Sequence, residues 1–231
     1  MNPPAKPIRA ALIDLDGTLV DTLGDFTFAL NEMLQDLGLP AMAPSQVQSL
    51  IGRGSEHLIR AALTQQSGAA AAHDIEAWYP KAWSSYQSHY RRHNGQHAQV
   101  YPGVVPGLAR MQALGWRLAC VTNKPTEFAR SLLERVGLAT CFVEVVGGDT
   151  HPRKKPDPMP LLLTCQALSC PPEQTLMIGD SIYDAQAAHA AGCPLVLVTY
   201  GYHQSSPLAS LGALQCVDRL DALSFDTLTS S

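Results

Sequence analysis

The chain has 231 residues, 46% of them apolar and 16% charged, with a formal charge of −4, the composition of a globular protein able to bury a sizeable core. No cluster of Lys and Arg is interleaved with aromatics, which excludes a nucleic-acid footprint, and no apolar run approaches the roughly 18 residues of a membrane-spanning helix. Six cysteines at 120, 141, 165, 170, 193 and 216 show neither Cys-x-x-Cys spacing nor a dense framework, and "MNPPAKPIRAAL" lacks the apolar stretch of a signal peptide; reduced thiols and a cytoplasmic location are expected.

The first predicted strand covers 9–14 and ends in "IDLDGTLV", where two carboxylates, Asp14 and Asp16, stand at the end of a buried run. From 22 to 97 the pattern turns helical, with helices predicted at 26–37, 45–51, 56–66 and 75–92 and almost no strand signal. The alanine run at 69–72 reads as a loop or helix end. Four more short, continuously apolar segments follow, at 117–122, 142–146, 175–178 and 194–199, as expected of strands covered on both faces. Helical patterns at 125–136, 159–168 and 184–191 separate them, each bounded by Pro or Gly. Alternating strand and helix predicts an α/β fold, a doubly wound, Rossmann-like parallel sheet. Residues 1–20 and 98–231 form this core, and 21–97 form an inserted helical cap domain. Beyond Gly201 the pattern weakens, and "SFDTLTSS" reads as a frayed end.

In an open parallel sheet a ligand sits beyond the carboxyl ends of the strands. The first strand delivers Asp14 and Asp16 there, "CVTNK" delivers Thr122 and Asn123, and "GDSIYD" delivers Asp180 and Asp184. Lys155, in "RKKPDP", precedes the last of these. With the chain acidic overall, an anionic substrate has to be held by such local positive charge. Any one of these pieces alone has a plainer reading. "DxDGT" is also a polar strand end, Asp184 a helix-start acid favoured by the macrodipole, and Lys155, like Lys154 and Arg153, a surface charge.

"DLDGT", "VTN", "KKPDP" and "GDSIYD", in that order over essentially the whole chain, resemble the four motifs of the haloacid-dehalogenase-like phosphohydrolases, and "YPGV", "VTNKP", "GGDT" and "IGDS" resemble the wording of their phosphoglycolate phosphatase subgroup. The resemblance implies a Mg²⁺-dependent phosphomonoesterase acting on a small phosphorylated metabolite, 2-phosphoglycolate, through an aspartyl-phosphate. By it, Asp14 is the nucleophile and Asp16 the general acid and base. Asp14, Asp180 and the Asp16 backbone carbonyl are metal ligands, with Asp184 acting directly or through water. Thr122, Asn123 and Lys155 bind the phosphoryl group, and Lys155 pairs with Asp14. Other small substrates (a sugar phosphate or pyrophosphate) and a phosphomutase of the β-phosphoglucomutase kind share this machinery. Dehalogenase and phosphonatase relatives lack the acid at position 16, and a silent phosphate-binding role has no need of every motif residue.

Two readings stand for Arg53 in "IGRGSE": a cap residue reaching the substrate's carboxylate, or a turn between helices. His89, His93 and His97, spaced by four, read as a solvated helix end with Gly95 closing the helix before His97. Trp78, Tyr79, Trp83, Tyr86 and Tyr90 read as packing within the cap. A monomer or homodimer is expected, with no membrane and no nucleic-acid partner.

Overall fold

The computed structural model describes residues 7–67, 75–203 and 207–225; the alanine run at 69–72 and the last six residues of "SFDTLTSS" lie outside them. The elements in chain order are β1 (Ala10–Ile13), β2 (Val20–Asp21), α1 (Leu23–Asp36), α2 (Pro44–Gln48), α3 (Ser55–Ser67), α4 (Ile75–His93), β3 (Gln99–Val100) and α5 (Val104–Ala113). They continue with β4 (Arg117–Val121), α6 (Thr126–Arg135), β5 (Glu144–Val146), α7 (Met159–Ala167), β6 (Thr175–Gly179), α8 (Ile182–Ala191), β7 (Leu195–Val198) and β8 (Gln215–Val217).

Every residue of β1 is fully buried. Ala11 and Ile13 face one apolar cluster, shared with Val104, Leu108 and Leu132 of α5 and α6. Ala10 and Leu12 face another, shared with Leu161 and Cys165 of α7 and Ala188 of α8. That period-two division between two covered faces explains the unbroken apolar run. Six parallel strands lie in the order β5-β4-β1-β6-β7-β8, with β1 between β4 and β6. The chain passes from β1 to one side and later returns to the other, so β1 borders the switch point where ligands bind in such sheets. The doubly wound α/β expectation holds. Around this sheet two elements escaped the sequence reading: β8, whose Gln215 and Cys216 are not buried, and α5, whose "VVPG" start obscures a helical period.

Between β1 and α5 the chain makes a two-stranded antiparallel ribbon, β2 with β3, in which Val20 pairs with Val100 and Asp21 with Gln99. All four helices α1–α4 depart from and return to this ribbon. On α1 the buried residues Phe26, Ala29, Leu30, Met33 and Leu34 fall at helical spacing. They pack against Leu58, Ile59 and Leu63 of α3 and Tyr86 and Tyr90 of α4. Buried Asp25 ties the start of this bundle to its exit, accepting from the backbone N–H groups of Gly95 and His97. The histidines expected at a solvated helix end have partners there: His89 contacts Glu32 and Asp36, His93 contacts Glu32, and His97 stacks on Phe28. No described helix is long and apolar enough to cross a membrane, and all six cysteines are free thiols.

Candidate active site

Asp14 follows β1 directly, Thr122 follows β4 and Asp180 follows β6, so three adjacent strands deliver their side chains to one edge. All three residues are buried. Between Asp14 and the ribbon, Gly17 turns the chain at φ +87°, and a Cβ there would stand 2.4 Å from Asp180 Oδ2, so the turn needs a residue without one. Thr18, next in line, donates its hydroxyl to Asp180 Oδ1 at 3.1 Å, and the Tyr202 backbone N–H donates to Asp180 Oδ2 at 2.5 Å. Asp184 sits in the first turn of α8. Its Oδ2 accepts from the Ser181 hydroxyl and from the backbone N–H groups of Asp180 and Ser181, closing the helix start.

Lys155, 3% exposed, lies at the centre of the acids. Its Nζ stands 2.8 Å from Asp14 Oδ1 and 2.6 Å from Asp184 Oδ1, and donates to the Val121 carbonyl at 2.7 Å. Burial works against the ammonium, but Asp14 and Asp184 outweigh it and hold Lys155 above its ordinary value. Asp14 is pushed up to about 6, chiefly by burial, with Lys155 opposing and Asp184 and Asp16 reinforcing. Asp180 is raised well above the carboxylate range by burial, Asp184 and Asp14, against the Tyr202 N–H and Thr18 hydroxyl.

These acids carry more negative charge than the chain neutralises. Fully ionised, Asp14, Asp16, Asp180 and Asp184 would face two ammonium groups among the described residues, Lys155 and Lys124, a deficit of two positive charges that the raised pKa values of Asp14 and Asp180 express. One oxygen each from Asp14, Asp180 and Asp184 lies within 4.8 Å of the others. An all-oxygen cluster short of two charges fits a hard divalent cation such as Mg²⁺. Asp184 is the least available of the three, since its Oδ2 already accepts three donors and its Oδ1 one.

The α1–α4 bundle covers this edge. Phe26, Ile51, Gly52, Gly54, Leu58 and Tyr90 of the α1–α4 bundle line the same cavity as Asp14, Asp16, Thr122 and Lys155. The space inside is about 30 Å³, room for about two waters.

The profile of the family described as "Haloacid dehalogenase-like hydrolase" matches residues 11–198. The chain belongs to the haloacid dehalogenase-like hydrolases. It is thus an enzyme, a hydrolase, with relatives called phosphoglycolate phosphatase. One from Thiobacillus denitrificans is 42% identical over 89% of each chain, and a plasmid-borne one from Cupriavidus necator is 44% identical over 94% of this chain and 92% of its own. The crystal structure of a predicted phosphoglycolate phosphatase from Haemophilus somnus matches with a TM-score of 0.86 at 32% identity, covering 93% of this chain and 95% of that one.

Not every residue named from the sequence of this haloacid dehalogenase-like hydrolase sits alike. Asp14, Asp16, Thr122, Asn123, Lys155 and Asp184 line the inner cavity. Asn123 has both amide protons committed, to the Gly52 carbonyl at 2.9 Å and the Lys155 carbonyl at 2.8 Å. Any donation from it to an anion has to come from its backbone N–H. Arg53 is exposed in the Gly52–Gly54 turn and lines an outer groove of about 400 Å³ with His57, Lys154 and Tyr183. Lys154 is half-buried on the rim of this groove, and its Nζ lies against Gly54. In that groove burial, Arg53 and Lys154 hold His57 below its ordinary value.

Lys124 was missed. It is 4% exposed, and its Nζ pairs with Asp16 Oδ1 at 2.8 Å. Thr22, likewise missed, donates its hydroxyl to the same oxygen at 2.8 Å. Tyr90, expected only to pack, accepts from Lys124 Nζ at 2.5 Å. The one sequence signal available was the place of Lys124 beside Thr122 and Asn123 at a strand end.

Proposed function

We propose that the protein is a Mg²⁺-dependent phosphomonoesterase that hydrolyses 2-phosphoglycolate to glycolate and phosphate through an aspartyl-phosphate on Asp14. The observation that carries this reading is Lys155 Nζ at 2.8 Å from Asp14 Oδ1 at the switch point, within a carboxylate cluster short of two positive charges. A dianionic phosphoryl group repels a carboxylate nucleophile, so attack requires such neutralisation. The name shared by the relatives supports the substrate.

In this reading residues 1–20 and 98–231 are the catalytic core and 21–97 the cap, moving about the β2–β3 ribbon to admit substrate and exclude water. Asp14, Asp180 and the Asp16 backbone carbonyl would hold Mg²⁺, with Asp184 behind them, orienting Lys155. When bound, the ion would supply the missing positive charge. Lys155 and the Thr122 hydroxyl hold phosphoryl oxygens while Asp14 attacks phosphorus. Asp16 protonates the departing glycolate oxygen and then takes a proton from the water that cleaves the acyl phosphate. Arg53, with Lys154 on the outer rim, draws in and reads the substrate's carboxylate.

The test is phosphate release from a panel of monoesters, with Mg²⁺ and then with chelator. 2-Phosphoglycolate is expected to give the highest kcat/KM, and chelation to abolish release. A flat profile removes the substrate assignment; release that survives chelation removes the metal. In the same panel Arg53→Ala is expected to raise KM about tenfold for 2-phosphoglycolate, the order of a charge-assisted hydrogen bond, and to leave a neutral aryl phosphate nearly unaffected. Equal effects on both return Arg53 to a simple turn residue.

A further inference from the structure

Lys124 belongs to the core, at the end of β4, yet its surroundings come from both sides of the cavity. On the core side is Asp16 Oδ1. On the cap side its Nζ donates to the Tyr90 hydroxyl of α4 and lies 4.4 Å from the ring centre of Phe26 on α1 and 4.9 Å from that of Tyr90. Two aromatic faces, a phenol oxygen and one carboxylate oxygen thus enclose a buried ammonium. A buried ion pair of this kind is poor evidence for stability, because desolvation offsets much of the attraction. A fixed orientation of its partner is a better account.

We propose that Lys124 is a positioning residue which, once Tyr90 and Phe26 are seated on it, locks the rotation of the Asp16 carboxyl for proton transfer. The inference rests on the assignment of Asp16 as general acid. Lys124 and Thr22 both donate to Oδ1, so a proton on this carboxyl is carried by Oδ2. As Asp14 forms its bond to phosphorus and the ester P–O bond breaks, that proton passes from Oδ2 to the leaving oxygen. With the cap lifted, Lys124 loses Tyr90 and Phe26 and is free to turn, and the carboxyl with it. Protonation of the leaving group is thereby tied to cap closure.

A series of monoesters without a carboxylate, graded from alkyl to p-nitrophenyl, separates this role from a structural one. The value of kcat/KM covers only the steps up to aspartyl-phosphate formation, and a poor alkoxide leaving group needs the acid far more than p-nitrophenolate does. Lys124→Met is expected to lower kcat/KM for the alkyl esters on the order of 10²-fold, within the range of general acid catalysis, and at least tenfold less for p-nitrophenyl phosphate. Tyr90→Phe keeps the ring and removes only the hydroxyl. It is expected to give the same graded pattern at about a tenth of the size, and Lys124→Arg to restore part of the alkyl activity. Uniform losses across the series in both Lys124→Met and Tyr90→Phe overturn the proposal. So does a Lys124→Met effect confined to KM for 2-phosphoglycolate, which makes Lys124 a substrate-reading group instead. Asp16→Asn in the same series tests the parent assignment separately: a loss that does not depend on the leaving group refutes the general acid itself.

Discussion

Asp14→Asn is expected to lower kcat for phosphate release by roughly 10⁴–10⁶-fold, the range seen when a catalytic nucleophile or its immediate partner is removed. The amide has the size of the carboxylate but does not attack phosphorus, so binding survives while the covalent step is lost. The fold is expected to survive as well. Lys155 keeps Asp184 Oδ1 and the Val121 carbonyl as partners, so no buried charge is orphaned. The ionised form of Asp14 is itself disfavoured by burial, its pKa standing at about 6 against 3.8. The unfolded chain therefore binds fewer protons than the folded one between those values, and the wild-type protein without metal loses stability as pH rises through that window. Removing the acid removes that loss. Thermal melting in chelator at pH 8 is expected to show the variant at or above wild type, and a marked drop contradicts this account of the site's electrostatics.

Lys155→Met is expected to do the opposite to stability. It also abolishes activity, because the phosphoryl group and Asp14 lose their common cation. It leaves two buried carboxylates, Asp14 and Asp184, without the ammonium that paired them. Breaking a buried pair from one side costs about 3–5 kcal/mol, on the order of 10 °C in Tm for a chain of this size. The cost depends on pH with a definite sign. Lys155 lowers the Asp14 pKa, so its loss lets the carboxyl stay protonated to higher pH, and the destabilising window extends upward. The Tm difference from wild type is expected to widen from pH 5 to pH 8 in chelator. A constant difference assigns the effect to lost packing rather than charge.

The contrast between these two substitutions shows what was legible in the sequence and what was not. Buried parallel strands write themselves as unbroken apolar runs, and an acid at the end of such a run stands out, as Asp14 and Asp180 do. Lys155 stands out only through its motif. Lys124 does not, because lysines are seldom buried and its partners come from remote segments, Asp16 more than a hundred positions earlier and Tyr90 on α4. Tyr90 falls on the packed face of α4, where periodicity predicts core and says nothing of its hydroxyl. Tyr202 is further still from view. Its hydroxyl accepts from the backbone N–H groups of Thr22 and Leu23 and donates to Asp21 beside the ribbon, while its own N–H holds Asp180. Local pattern carries the strands and the acids at their ends. The residues that join the sheet to the α1–α4 bundle are set by long-range packing, which no window of sequence contains.

The stereochemical course at phosphorus tests the central claim, that Asp14 takes the phosphoryl group before water does. A thiophosphate monoester of glycolate carrying ¹⁸O at phosphorus, hydrolysed in ¹⁷O-enriched water, yields a product whose handedness records the number of displacements. Two successive in-line displacements, first by Asp14 and then by water, predict retention of configuration. Inversion means that water attacks the ester directly, and it contradicts the aspartyl-phosphate.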